Sequence, residues 1–160
     1  MRVGFGFDAH RLVSDRPLVL GGVRIQFTKG LEGFSDADVL THAIIDAVLG
    51  AAGLGDCGSR FPAGDPKYAN AVSVKLLEQT AVMLRQAGLR VNNVDCTIVA
   101  EQPALAGHVG AMRAVLANAL GVAENDCNVK AKRTEGLGFT GTGDGMAAYA
   151  VATVEPEPPK

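Results

Sequence analysis

One segment constrains the fold of this chain more than any other: SDADVLTHAIIDAVLGAAGL, residues 35–54. It reads as the clearest helix in the sequence. Ser35 is placed to cap it, and Asp38, three residues on, completes an S-x-x-D capping pattern. The early acids suit the positive end of the helix dipole. Asp38, His42 and Asp46 are spaced i, i+4, i+8 and form one polar stripe, while Leu40, Ile44, Ala47 and Val48 lie elsewhere on the wheel. A solvated helix face is the plain alternative reading of that stripe.

The remaining elements follow from pattern and punctuation. MRVGFGFD reads as a first strand. LVL and VRIQF, joined by Gly21-Gly22, read as a hairpin whose glycines supply positive φ. GLGDCGSRFPAGDP is a loop by its Gly and Pro content. A second helix runs from about Val72 to Ala87 and stops at Gly88. VNNVDCTIVA is a strand, GHVGAMRAVLANAL a helix ended by Gly121, and NVKAK a short strand. EGLGFTGTGDG is a glycine-rich loop, and MAAYAVATV a last apolar strand. Strands, helices and strands in this order do not alternate as βαβα. The expected class is α+β, a mixed sheet with helices on one face. Small apolar residues on both sides of the last strand imply that its second face is also covered, and in a chain this short a partner subunit is the expected cover.

With 160 residues, the chain suits one domain with one core, taken as residues 1–155, with a frayed tail at 156–160. A formal net charge of −2 gives no basic field for nucleic acid or anionic membrane. No apolar run approaches the roughly 20 residues that span a bilayer, and the N-terminus lacks the features of a signal peptide. Cys57, Cys96 and Cys127 are three in number, far apart and without C-x-x-C spacing. They read as small apolar residues in a reducing, cytoplasmic setting.

Two of the three histidines belong to one candidate constellation. Asp8 and His10 lie two apart in an extended segment and point to one side. With His42 they make a carboxylate and two imidazoles, a set that suits zinc with a fourth position open for chemistry. Asp38 or Asp46 is placed to orient His42. Alone, D-x-H is a weak signal. His108 opens a helix and reads as a surface or capping residue. Gly136 to Gly141 matches G-x-G-x-x-G, but a dinucleotide fold needs a further helix and strand after it, and the chain ends first. A loop of backbone N–H groups that contacts phosphate stays open as a reading. Lys130, Lys132 and Arg133, close before it, fit a polyphosphate or a solvated basic strand equally.

Taken together, GFDAHRL, LGGVRI, FSDADVLTHAIIDAVLGAAGLGDCGSRFP, NVDCTIVAEQP and NVKAKRTEGLGFTGTGDG resemble the 2-C-methyl-D-erythritol 2,4-cyclodiphosphate synthase family. The resemblance implies a homotrimer with active sites between adjacent subunits, acting in the non-mevalonate isoprenoid pathway. It implies a cytidine diphosphate substrate, 4-diphosphocytidyl-2-C-methyl-D-erythritol 2-phosphate. Its 2-phosphate attacks the β-phosphorus, CMP leaves and the cyclic diphosphate forms.

By motif, the resemblance makes Asp8, His10 and His42 ligands of zinc or a similar divalent metal. Glu135 becomes the holder of a second ion, magnesium or manganese, on the diphosphate. Phe34 and Ser35 fall at phosphate contacts, with Ala9 between the first two ligands. Asp56, Cys57 and Gly58, with Phe61, Pro62, Ala63, Gly64 and Asp65, match the segment that touches methylerythritol. Ala100, Pro103, Ala104, Leu105 and Ala106 match the cytidine pocket, joined by Lys132, Arg133, Thr134 and Glu135. Phe139 and Thr142 complete the implied set. Phe34 and Arg133 occupy the positions of the family's transition-state stabilisers, but the family commonly has His at 34 and Thr at 133. Lys at 104 is here Ala104, and an Arg near the trimer channel is here Thr142. A non-catalytic trimer that keeps metal and nucleotide sites is the alternative reading.

Overall fold

The structure is a computed structural model and describes residues 1–158. A five-stranded sheet is built from β1 (Arg2–Ser14), β4 (Lys29–Leu31), β5 (Leu89–Val99), β6 (Cys127–Lys132) and β7 (Gly145–Pro156), in the order β4-β1-β7-β5-β6. All neighbours are antiparallel except β5 and β6. A parallel pair needs a crossover, and α4 (Val109–Leu120) supplies it. The helices α1 (Val39–Ala52) and α3 (Ser73–Gln86) complete the main framework, with two single turns, α2 (Cys57–Arg60) and α5 (Gly138–Gly141). This is the expected α+β mixed sheet. Both short helices fall inside segments read as loops. No helix is long and apolar enough to cross a membrane among the described residues.

The hairpin forms as expected. β2 (Leu18–Leu20) pairs with β3 (Val23–Ile25), and Gly21 and Gly22 take φ of 57° and 73°. Consecutive positive φ values twist a two-residue turn in the sense its strands require.

The start of α1 differs from the capping pattern read in the sequence. Ser35 does not cap the helix; Asp38 does. Ala37 sits at φ 55°, off the helical path. The Asp38 carboxylate accepts from the amides of Thr41, Gly21 and Gly22 at 3.0, 2.9 and 2.7 Å, and from the Thr41 hydroxyl at 2.7 Å. Four donors compensate its complete burial. The hairpin amides draw Asp38 inward, so it leaves the polar stripe it was expected to share with His42 and Asp46.

The core lies between α1, α3 and α4 and the even-numbered face of β1 and β7. β1 and α1 approach with almost no gap. A Cβ on Gly4 would stand 1.9 Å from the Ala47 carbonyl oxygen, and one on Gly6 the same distance from that of Ala43. Only glycine admits a helix backbone this close to a strand. The two elements run in opposite directions, so the next pair along this seam brings Asp8 under the first turn of α1. The fold thereby delivers His42 to Asp8.

The opposite face is bare in the single chain. Val3 and Phe5 are each 64% exposed, and Phe7, Tyr149 and Val151 share that face, exposed as well. Their register is continuous: Phe5 pairs with Val151 and Phe7 with Tyr149, whose rings are 5.1 Å apart. At the end of the chain, Pro156 still pairs with Leu89, and the Glu157 amide donates to the Gly88 carbonyl. Of the tail expected to fray, 159–160 lie outside the described residues.

Candidate functional site

Midway along β1, residues 8 and 10 point toward the helices because strand side chains alternate. Asp8 Oδ2 lies 2.8 Å from His10 Nε2 and 3.0 Å from His42 Nδ1, and the two imidazole nitrogens are 3.3 Å apart. This is the one such group of metal-ligating side chains among the described residues. An ion holding tetrahedral ligands at ~2.0–2.1 Å spaces their donor atoms by about 3.3 Å. The set fits a divalent metal of the zinc type, with Asp8, His10 and His42 as its holders.

The surrounding bonds prepare these ligands. His10 Nδ1 lies 2.7 Å from the Glu32 carbonyl, which only accepts, so Nδ1 carries the proton and Nε2 faces the site. His42 Nε2 reaches the hydroxyls of Ser73, at 2.9 Å, and Ser35, at 3.3 Å. Neither Asp38 nor Asp46, the expected partners, bonds His42. Asp46 instead accepts from the Cys57 amide at 2.7 Å and ties α1 to α2. Burial raises the Asp8 carboxyl, but the bonds and charges of His10 and His42 outweigh it and bring it down to about 2. Burial also works to lower His10, and Asp8 overrides it, leaving the imidazole above its ordinary range.

A cavity of about 400 Å³ opens beside this cluster. It brings together Asp8, His10, Phe34, Ser35 and His42 with Asp56, Cys57, Gly58, Phe61 and Ala63, all expected site residues. Pro62, Gly64 and Asp65 lie in the same loop but do not line it. Asp46, Tyr68 and Leu76 line it without having been expected as pocket walls. Burial, with Asp46, Asp8 and Asp56 close by, pushes the Cys57 thiol up to about 12. It is a wall residue rather than a nucleophile.

Residues 33–35 are held from outside the pocket. Arg16 donates to the carbonyls of Gly33 and Ser35 at 3.1 and 2.9 Å, and the Asn70 amide donates to that of Phe34 at 2.9 Å. The amides of Phe34 and Ser35 have no acceptor among the described residues. Three engaged carbonyls leave these N–H groups available to an anion. The expected anion-binding helix start at Ser35 is therefore a tethered loop ahead of the helix.

The second half of the expected site stands apart in this chain. β5 and β6 end level with the middle of β1, Ala9 standing in line with Ala147, Val99 and Lys132. Three strand spacings, about 14 Å, separate β1 from β6. Ala100, Pro103, Ala104, Leu105 and Ala106 follow β5, and Lys132, Arg133, Thr134 and Glu135 close β6. None of them lines the metal pocket. Glu135 is exposed at φ 54°, 3.5 Å from the Arg133 guanidinium, and meets no other metal ligand among the described residues. Ala9 and Phe139 line a cleft behind His10, and Thr142 lines another beside Glu101. His108 begins α4 without a side-chain capping bond.

The sequence reading missed Ser73, Asp36 and Arg16. Ser73 stood out only as a residue at a helix start, which carries no signal of a contact with His42. Arg16 had none either, because its effect depends on how a turn folds back.

A carboxylate and two imidazoles beside a cavity on an α+β sheet define a class of protein with three side chains that could hold a metal ion and room for a small molecule. A profile of the YgbB family matches residues 1–155. The chain belongs to that family.

A protein of Desulfatibacillum aliphaticivorans, named 2-C-methyl-D-erythritol 2,4-cyclodiphosphate synthase, is 57% identical over 97% of this chain and all of its own length. A protein of the same name from Dehalococcoides mccartyi strain 195 is 55% identical over 97% of this chain and 99% of its own. Among solved structures, the bifunctional IspDF of Campylobacter jejuni superposes with a TM-score of 0.93 at 42% identity. That match covers 97% of this chain and 42% of the larger protein. Plasmodium falciparum IspF in a CDP complex superposes with a TM-score of 0.85 at 27% identity, over 98% of this chain and 97% of its own.

Proposed function

We propose that this chain is a 2-C-methyl-D-erythritol 2,4-cyclodiphosphate synthase. The convergence of Asp8, His10 and His42 beside two available amides, in a chain more than half identical to proteins of that name, carries the reading. The CDP in the name of a structural neighbour supports a cytidine nucleotide as the leaving half of the substrate.

In the reaction, an oxygen of the 2-phosphate forms a bond to the β-phosphorus. The bond from that phosphorus to the bridging oxygen breaks, and CMP departs with the oxygen. Two anions must be held together, so positioning and charge neutralisation dominate. A divalent ion, when bound, polarises a phosphoryl oxygen and neutralises charge. The amides of Phe34 and Ser35 meet the phosphate; Phe34 acts through its backbone. The α2 segment and Phe61 hold the carbon skeleton. No side-chain nucleophile is required.

The separation between the metal pocket and the segments that follow β5 and β6 is closed by a second subunit. Trimer formation covers the row of Val3, Phe5, Phe7, Tyr149 and Val151. It brings Ala100 to Ala106 and Lys132 to Glu135 of one subunit to the metal pocket of the next. Glu135 would then hold a second divalent ion, magnesium or manganese, supplying charge neutralisation for the diphosphate, and Arg133 adds positive charge. The cytoplasm, where the cysteines stay reduced, is the compartment for this chemistry.

The test is CMP release from the diphosphocytidyl substrate, before and after metal is removed by chelation. Metal-dependent CMP with matching cyclic diphosphate establishes the reading. Tight nucleotide binding without CMP release overturns it in favour of a binding trimer.

A further inference from the structure

His42 is gripped at both ends, and the end away from the pocket has a definite polarity. Ser73 is fully buried. Its hydroxyl donates to Asp36 Oδ1, and its amide donates to Asp36 Oδ2 at 3.0 Å. The Asp38 amide also approaches Oδ1, at 3.3 Å. A carboxylate accepting from amides at both oxygens has no proton to return. The only proton of the Ser73 hydroxyl is therefore directed at Asp36, and its lone pair faces His42 Nε2 at 2.9 Å. That contact is attractive only when Nε2 carries a proton.

We propose that Asp36 and Ser73 are positioning residues that hold a His42 proton on Nε2, so that a metal displaces the proton shared between Nδ1 and Asp8 Oδ2, 3.0 Å away. The proposal deepens the reading of Asp8, His10 and His42 as the metal site. A histidine that ligates through one nitrogen is oriented and made more basic by what its other N–H donates to. Here the acceptor is a neutral hydroxyl with a carboxylate behind it. Ser35 contributes less, because its hydroxyl is farther from Nε2, at 3.3 Å, and already accepts from the Ala37 amide.

The relay has a sharp consequence for an isosteric change. In Asp36→Asn, the amide NH2 replaces one carboxylate oxygen. On the Oδ2 side it faces the Ser73 amide, donor against donor. On the Oδ1 side it donates to the Ser73 hydroxyl, which must turn and give its own proton to His42 Nε2. Nε2 then accepts instead of donating, and the proton between Nδ1 and Asp8 becomes the one His42 must keep, which opposes the metal.

The test uses zinc alone, in competition with a chelator, and imidazole nitrogen NMR on the full-length protein. In the wild type, His42 Nε2 carries a proton both with and without zinc. Asp36→Asn removes the proton from Nε2 and weakens zinc binding by about tenfold or more. Ser73→Ala, which leaves Nε2–H without its acceptor, weakens zinc by about 10–100-fold. Zinc binding unchanged within twofold in both variants, or an unprotonated Nε2 in the wild type, overturns the proposal. If Ser73→Ala does not fold, the wild-type spectrum and Asp36→Asn still decide. If the wild type takes up no zinc, the metal-site reading fails, while the Nε2 proton still tests the relay in the metal-free protein.

Discussion

Gly6 lies against the Ala43 carbonyl so closely that a methyl group there would stand 1.9 Å from the oxygen. Ala43 neighbours His42, so the contact that packs the helix also sets the height of a metal ligand. Gly6→Ala must lift α1 or bend β1, because the atom in the way is backbone. We expect it to cost about 3 kcal/mol, the upper part of the usual range for overpacking, and to weaken metal binding. Urea unfolding and zinc competition measure the two effects. A variant with unchanged stability would mean that the seam is looser than this geometry.

Asp38 holds the hairpin turn to the start of α1. Burial raises its carboxyl, and donors from Thr41 and Gly22 oppose the rise. Asp38→Asn keeps the shape but gives the site two N–H groups where four donors already converge. We expect a loss of about 1–3 kcal/mol from unsatisfied buried groups, read as a lower urea midpoint with an unchanged slope. Far less loss would mean that the turn amides find other acceptors.

Asp8 gives the metal-free protein a defined pH response. Its folded value, about 2, lies below the ordinary 3.8. The folded state binds that proton less readily, so the stabilisation is present above 3.8 and is lost as pH falls through about 2. His10 shifts the other way, upward from 6.5. Its contribution is complete below 6.5 and fades as pH rises through its folded value. In the window between 3.8 and 6.5, metal-free Asp8→Asn should be less stable than the wild type by about 2 kcal/mol. The difference should shrink toward pH 2. Thermal unfolding of both proteins across this range measures it, and a pH-independent difference would rule out the ion pair as its cause.

His42→Ala removes one of three ligands while leaving the seam of Gly4, Gly6, Ala43 and Ala47 intact. Tight zinc binding and most turnover should disappear, with the circular dichroism spectrum and oligomeric state retained. Full activity in metal-replete His42→Ala enzyme would show that the ligand set is wrong.

Much of this was legible in the chain, for identifiable reasons. Asp8 and His10 share a side because strands alternate, and Gly21-Gly22 announces its turn because few residues accept positive φ. The helix start misled because Ser35 and Asp38 are both good caps. The choice between them was made by the Gly21 and Gly22 amides, which reach Asp38 only after folding. Ser73 was not legible as a partner of His42, since α1 and α3 carry no local signal of how they pack. The distance between Glu135 and the pocket follows from strand order, and strand order is a long-range outcome.

Phe34 stands where the family resemblance implies a histidine, and its surroundings show how a phenylalanine is accommodated there. Arg16 and the Asn70 amide hold the carbonyls of residues 33–35, so the direction of the Phe34 and Ser35 amides does not depend on the side chain at 34. Phe34→His should therefore retain turnover. Arg16→Met, which keeps length and removes the fork, should lower kcat/KM by about 100-fold, as small misplacements of a substrate-positioning group do. Zinc content should stay at the wild-type level, since Arg16 touches no metal ligand. Steady-state kinetics with metal analysis separates these outcomes. Loss of zinc alongside activity in Arg16→Met would make it a general support of the fold, and loss of turnover in Phe34→His would show that the aromatic ring itself shapes the substrate pocket.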